Sequence, residues 1–226
     1  MSSTLSIIIP TFNEQAFIVE TLKALQPLRE AGHEVIVVDG NSIDNTRSLA
    51  APLADSVLLT SCGRARQMNI GAQFAHNDIL LFLHADTLLP IQADNLIING
   101  LTKTERYWGR FNVRLSGQMP LLRVVERLMN WRSYLTGIAT GDQAIFVQRT
   151  LYFQIQGFPN IPLMEDIALS RHLKHFGYPL CIKKPVITSS RRWEQRGVIR
   201  TVLLMWGLRL AYAVGVNPHF LKKFYN

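Results

Sequence analysis

The stretch LSIIIPTFNE, residues 5–14, decides the fold class. Its apolar run over residues 5–9 stops at Pro10 and passes at once into short polar side chains. That is the mark of a strand buried on both faces that ends in a loop at the sheet edge. Similar apolar runs recur over residues 35–38, 56–59 and 79–83, each bounded by turn residues or charges. Between the first two, Phe17, Ile18, Leu22, Leu25 and Leu28 fall at helical spacing. Pro27 should bend or shorten that helix, and Gly32 suits its end. A second helix is expected after Asp44, and a third carries Ala65, Met68, Ala72 and Ala75 on one face. Strand and helix in alternation predict a mainly parallel sheet with right-handed crossovers. The first half therefore reads as a Rossmann-like, nucleotide-binding unit.

The second half is less regular. Phe111, Val113 and Leu115 alternate with Arg110, Asn112 and Arg114, which predicts a strand with one wet face. An apolar-striped helix is expected over residues 121–134, followed by the Gly-rich TGIATGD, the strand-like AIFV and the helix EDIALSRHLKHFG, ended by Gly177. No linker, repeat or low-complexity tract interrupts the chain. The expectation is one domain over residues 1–226: a nucleotide-binding half to about residue 90, an acceptor and catalytic half over 91–195, and a helical tail over 196–226.

Composition narrows the partners. Lys and Arg total 24 against 16 Asp and Glu, a formal net charge of +8 that favours anionic ligands or surfaces. The charge is dispersed and no recognition motif accompanies it, so nucleic acid is not an expected partner. Cys62 and Cys181 stand far apart without a CxxC, which suits a reduced compartment and indicates neither a disulfide framework nor a thiolate metal site. The N-terminus lacks the basic n-region of a signal peptide. The expected location is cytoplasmic.

Ligands of open parallel sheets bind beyond the carboxyl ends of the strands. Three polar clusters lie there: PTFNE (residues 10–14), DGNSIDNT (39–46) and HADT (84–87). Turn and capping chemistry alone accounts for Asn13, Ser42 or Asp44 taken singly, but less readily for three acidic clusters on one edge.

The series SIIIPTFNE, EVIVVDGNSIDNT, GRARQMNIGA, LLFLHADT and MEDIALSRHL resembles the family 2 glycosyltransferases of GT-A fold. The likeness spans roughly residues 4–190. Within that family GRARQMN, LLFLHADT, TGDQAIFV, PLMEDIALSR and SSRRWEQRG are most similar to small stand-alone members associated with radical-SAM and selenodomain proteins, some linked to arsenosugars. The resemblance implies an α/β fold, a mainly parallel mixed sheet flanked by helices. It also implies an inverting transfer of a sugar from a nucleoside-diphosphate donor to an acceptor hydroxyl, with a UDP-sugar the first choice and a GDP-sugar the second. The acceptor would be a small molecule or lipid-linked.

Roles for particular positions follow from the resemblance. Pro10, Thr11, Asn13, Glu14, Asp39, Asn41 and Ser42 would border the nucleoside, with Asp39 accepting from the base. Residues 63–71 would lie along the nucleotide, placing Arg64 or Arg66 near phosphate and Asn69 beside them; a solvated helix face is the plainer reading of either arginine. Asp86 matches the metal-binding acid of an Asp-x-Asp motif and would hold Mn²⁺ or Mg²⁺, both of which prefer oxygen ligands. His84 replaces the first acid of that motif, as metal ligand, phosphate contact or structural group. Glu165 and Asp166 match the Glu-Asp pair of the family, with Asp166 the catalytic base and Glu165 its positioning neighbour. As a local signal the same acids simply suit a first helical turn. Gly141 and Asp142 would underlie the donor sugar and acceptor. Arg192 and Trp193 match the end of a Gln-x-x-Arg-Trp signature in which Ser189 stands for the Gln.

The run VIRTVLLMWGLRLAYAVGV is broken by Arg200 and Arg209, leaving less than the roughly 20 apolar residues of a spanning helix. It is expected to pack on the sheet, form a homodimer contact or lie at the inner membrane surface. Two other functional classes fit the pattern less well. A nucleotidyltransferase would open with a Gly-rich loop where PTFNE stands, and a non-catalytic nucleotide-sugar binder or membrane adaptor has no need of acids at 39, 86 and 166.

Overall fold

The computed structural model describes residues 3–225. The first half alternates as expected: β1 (Leu5–Thr11), α1 (Ile18–Ala24), α2 (Gln26–Glu30), β2 (Glu34–Asp39), α3 (Thr46–Ala50), β3 (Ser56–Leu59), α4 (Arg64–Phe74) and β4 (Ile79–Phe82). The second half runs β5 (Thr87–Leu88), α5 (Ala93–Thr104), β6 (Trp108–Leu115), α6 (Pro120–Thr136), a 3-10 turn (Gly141–Gln143), β7 (Phe146–Gln148), α7 (Arg149–Gln154), α8 (Glu165–Lys174), β8 (Leu180–Thr188), α9 (Arg191–Arg196), α10 (Val198–Ala213) and α11 (Pro218–Tyr225). The helix expected between the first two strands is split at Leu25. Pro27 sits in the first turn of α2, where its missing N–H breaks no helical bond.

The strands form one eight-stranded mixed sheet, β3-β2-β1-β4-β7-β6-β8-β5. Strands β1 to β4 are mutually parallel, β7 is antiparallel to both its neighbours, and β5 is antiparallel to β8. The period-2 alternation of β1 explains the two layers of helices. Leu5, Ile7 and Ile9 join Leu22 of α1 and Ile97 of α5 on one face, and Ile8 joins Met68 and Ala72 of α4 on the other. Gly71 lets α4 approach that closely, because a Cβ there would collide with Ile8.

Strand β6 departs from its expected character. Arg110 is buried, and its guanidinium bonds Asn112 and the carbonyl of Asn130. Only the far end of the strand, at Arg114, is wet. β6 pairs with β7 at Trp108 and Gly109 and then leaves it. Beyond that point α6 takes over the vacated hydrogen bonds. The Asn130 amide accepts from Val113 N–H at 2.9 Å and donates to Val113 C=O at 3.0 Å. Glu126 accepts from Leu115 N–H, and Arg123 donates to the carbonyls of Leu115 and Gly117. On its other side β6 pairs with β8 through a register shift between Phe111 and Asn112, where Pro185 of β8 follows two lysines. Proline fits a strand at such an irregularity.

The C-terminal helices pack against α8. Leu208 and Leu221 meet Leu163, Met164 and Ile167 in a small separate cluster. No helix among the described residues is long and apolar enough to cross a membrane.

Replacing Asn130 by Ala strips Val113 of both its partners without touching the sheet. Loss of about 1–3 kcal/mol is expected, since buried backbone groups would be left unsatisfied. Urea denaturation reads this as a lower midpoint at unchanged slope; an unchanged midpoint would mean that α6 does not seal the strand.

Candidate active site

The loops after β1 and β2 are knitted together by their own polar groups. Asn13 N–H donates to Ser42 Oγ at 2.8 Å, Ile43 N–H to Asn13 Oδ1 at 3.0 Å, and Glu14 N–H to Thr46 Oγ1 at 2.8 Å. Asn13 and Asn41 hold left-handed backbone, which Asn tolerates better than most residues. Asp39 is fully buried at the base of this lattice and accepts from Ser42 N–H at 2.8 Å, Ser42 Oγ at 2.5 Å and Thr11 Oγ1 at 3.2 Å. From α4, Gln67 donates to the carbonyls of Thr11 at 2.7 Å and Val38 at 2.8 Å, pinning the ends of both strands.

A cavity of about 240 Å³ opens beyond these strand ends. Pro10 and Glu14 reach it from β1, His84 and Asp86 from β4, and Arg64 from the start of α4. The loop before β7 contributes Thr140, Gly141 and Asp142, and the N-terminus of α8 brings Glu165 and Asp166. Arg191, Arg192 and Trp193 close the remaining side, with Arg209 of α10.

The HADT loop is fixed through its backbone. Ala85 C=O accepts from Thr21 Oγ1 at 2.7 Å, and Asp86 C=O accepts from Ser189 N–H at 3.2 Å. His84 Nδ1 lies 3.3 Å from Asp142 Oδ1. Its Nε2 is buried without a hydrogen-bond partner against Gly141, where a Cβ would collide with it. Burial pushes the Asp142 carboxyl up, but the hydrogen bond and charge of His84, with Arg64 and Arg209 behind, hold it below the usual range. Glu14 moves the other way: burial and the neighbouring Asp86 charge raise it, against Arg191 at 3.6 Å. Glu14 Oε2 is buried with no hydrogen-bond partner.

α8 begins abruptly. Met164 holds a left-handed conformation, φ 68°, unusual for an unbranched apolar residue and costly unless its surroundings enforce it. That turn sets Glu165 and Asp166 on the cavity wall. Asp166 Oδ2 accepts from Gly141 N–H at 2.9 Å and Oδ1 from Ile167 N–H at 2.7 Å. Glu165 is buried, 3.7 Å from Arg64. Burial and the adjacent Asp166 charge raise its carboxyl above the ordinary value, with Arg64 only partly opposing them.

The structure therefore gathers Pro10, Glu14, Arg64, His84, Asp86, Gly141, Asp142, Glu165, Asp166, Arg192 and Trp193 around one cavity. Thr11, Asp39, Ser42, Asn13 and Asn41 do not line it: the first three are buried in the loops after β1 and β2, and the two asparagines are exposed on them. Two expected residues turn elsewhere. Arg66 is exposed and bonds Ser61. Asn69 accepts from Tyr152 Oη at 2.6 Å and Phe158 N–H at 2.9 Å and donates to Phe158 C=O at 2.8 Å, so its amide fastens the loop after α7. Arg192 is engaged by the C-terminus: its guanidinium lies 3.7 Å from the centre of the Tyr225 ring and donates to Tyr225 C=O at 3.0 Å. Sequence reasoning missed Gln67, Arg191 and Arg209. Gln67 had no signal, because it lies off the face of Ala65, Met68, Ala72 and Ala75 and is buried only by the strand ends it bonds. Arg209 had none, because only the fold brings α10 to the cavity.

Glu165 yields a pH test. A carboxyl raised in the folded state opposes folding once it ionises. The penalty is absent below the ordinary value near 4.5 and grows as pH rises from there through the raised value. Glu165→Gln should therefore melt higher than wild type at pH 7, with the gap closing by about pH 4. A variant that melts lower at pH 7 would show that the Arg64 contact outweighs burial.

The comparisons with known proteins agree with this architecture. Among solved structures, S. aureus TarS in complex with UDP superposes with a TM-score of 0.68 at 16% identity, over 82% of this chain and 60% of that one. The mannosyltransferase PcManGT from Pyrobaculum calidifontis, in complex with GDP-Man and Mn2+, gives a TM-score of 0.64 at 24% identity, over 100% of this chain and 65% of that one. A mycobacterial protein gives 0.60 at 18% identity, over 83% and 65%. The chain thus spans less than two thirds of each of these neighbours. No relative among curated proteins matches the sequence. The model of glycosyl transferase family 2 matches residues 6–149, more than half of the chain, which takes in β2, β3, β4 and all but the first residue of β1. The protein belongs to glycosyl transferase family 2.

Proposed function

We propose that the protein transfers a sugar from a nucleoside-diphosphate donor to an acceptor hydroxyl with inversion, and that Asp166 is the base. The observation that carries this reading is the placement of Asp166. Its carboxylate is held by two backbone N–H groups at the wall of the cavity that Asp86, Glu14 and Arg64 also line. An inverting transfer needs one carboxylate. The acceptor oxygen attacks the anomeric carbon and its proton passes to Asp166, while the bond from that carbon to the diphosphate oxygen breaks and its electron pair leaves with the diphosphate. Glu165, next in the chain and paired with Arg64, positions this end of the helix.

Among the described residues no three His, Cys, Asp or Glu side chains are arranged to hold a metal by themselves. Asp86 nevertheless stands near enough to Glu14 to raise its carboxyl, and one Glu14 oxygen is buried unpartnered. Carboxylate oxygens completed by substrate phosphates suit Mg²⁺ or Mn²⁺. Asp86, with Glu14 opposite, would hold such an ion, which would neutralise the departing diphosphate as a Lewis acid. The contact of His84 with Asp142 supports a positioning role for that ring, aiming Asp142 at a sugar hydroxyl. The knitted loops of Asn13 and Ser42 form the base and ribose side. UDP remains the first nucleotide and GDP the second, the two carried by the neighbours named above. The subgroup associated with radical-SAM proteins is part of the same reading.

Asp166→Asn keeps the shape and removes the basicity. Transfer should fall by a factor of order 10²–10⁴ while UDP binding, followed by calorimetry, changes little. Near-normal turnover in this variant would remove Asp166 from the chemistry. Asp86→Ala should abolish the gain in UDP affinity that Mn²⁺ gives the wild type; an undiminished gain would place the metal elsewhere.

A further inference from the structure

A second cavity of about 480 Å³ lies between α6 and α10. Leu128, Trp131 and Leu135 form one wall and Trp206 and Leu210 the other, all well exposed. Its inner end meets the first cavity: Asp142, Trp193, Met205 and Arg209 line both. Arg209 stands at that junction, and Arg132 lines the groove near enough to feel its charge. Arg132 donates to Ile138 C=O through one nitrogen, while its Nε and Nη2, and Nε of Arg209, are buried with no hydrogen-bond partner. Burial and the charge of Arg209 push Arg132 down to about 10. Asp142, the acid they share the groove with, is paired with His84. Two cations with buried nitrogens that lack hydrogen-bond partners, set where the apolar groove meets the first cavity, form a site complementary to an anion attached to an apolar chain.

We propose that this groove is the acceptor subsite and that the acceptor is an anionic amphiphile. Its hydrocarbon chain lies between α6 and α10, a phosphate-type group meets Arg132 and Arg209, and the hydroxyl-bearing part extends past Trp193 to Asp166. The order of surfaces carries the assignment: apolar walls, then paired guanidinium groups, then the cavity with the carboxylates. Arginine suits the middle position because its fork donates parallel hydrogen bonds to phosphate oxygens. This assignment rests on the transferase reading, and it names the class of molecule that receives the sugar.

Dodecyl phosphate, kept below its micellar concentration, is the probe, with Trp131 and Trp206 as fluorescent reporters. It should bind at least ten-fold tighter than either dodecyl maltoside or inorganic phosphate. Arg132→Gln and, separately, Leu128→Glu should each weaken it at least ten-fold in protein that still melts cooperatively. Equal binding of dodecyl maltoside would reduce the groove to an apolar surface and overturn the proposal. So would inorganic phosphate binding as tightly as the probe. Binding confined to phosphatidylglycerol vesicles, with none of monomeric probe, would assign the face to a bilayer and overturn it too. A dimer in sedimentation velocity that the probe does not dissociate would give the groove to a second copy. UDP binding by the wild type separates the two levels. Probe binding without any nucleotide binding would sink the transferase reading, whereas nucleotide binding without probe binding would sink only the acceptor assignment.

Discussion

The hydrogen bond from Gly141 N–H to Asp166 ties the turn before β7 to the start of α8, and the bonds between Ser170 and Ala139 one turn further along the helix hold the same two segments together. Gly141 belongs to the turn that leads into β7, in the middle of the sheet, and Asp166 opens a helix on the outside. The same glycine accommodates His84 from β4, since any side chain there would strike the imidazole. That N–H and that missing Cβ let the loop after β4, the floor of the cavity and the candidate base come together. Met164 accepts an unfavourable backbone conformation to keep α8 pointed at this junction. Strain of that kind persists only where the surrounding contacts enforce it, and here Leu163, Ile167 and the C-terminal helices do so.

Charge in the cavity is arranged by opposition. Asp142 is held ionised by His84, whereas Glu14 and Glu165 are pushed toward the neutral form by burial and by an acidic neighbour. Carboxyls from three distant parts of the chain thus carry opposite tendencies around one space, and such perturbed groups cluster at functional sites. Arg64 and Arg191 temper the acids without cancelling them.

Much of this could be read in the sequence where one local rule governs. The four parallel strands are short apolar runs with turn residues at both ends; β1, β2 and β4 are buried as expected, while β3 lies at the sheet edge, half-buried, with Leu59 open to solvent. Asp86 stands out by its place at a strand end, whereas Glu165 and Asp166 rest on the family resemblance, because as a local signal they only suit a first helical turn; the fold brings all three to one cavity. Strand β8 escaped notice because Lys183, Lys184 and Pro185 interrupt its alternation at the register shift. Helix α5 escaped because Asn95, Asn99 and Gly100 depress helical propensity; Gly100 is there for Leu180, which would collide with a Cβ. Arg110 looked wet because alternation reports which face a residue occupies and not whether a helix later covers it. The groove could not be foreseen at all, since it depends on where α10 comes to rest.

The seal that α6 places along β6 bears on how the molecule meets others of its kind. An open sheet invites strand addition at any row of free N–H and C=O groups. Here the outermost strands are a four-residue β3 and a two-residue β5, too short to template a partner. The notch where β6 parts from β7 would have been a third point of attack, and the side chains of Arg123, Glu126 and Asn130 occupy it. Self-association by backbone pairing is thereby discouraged at these three places.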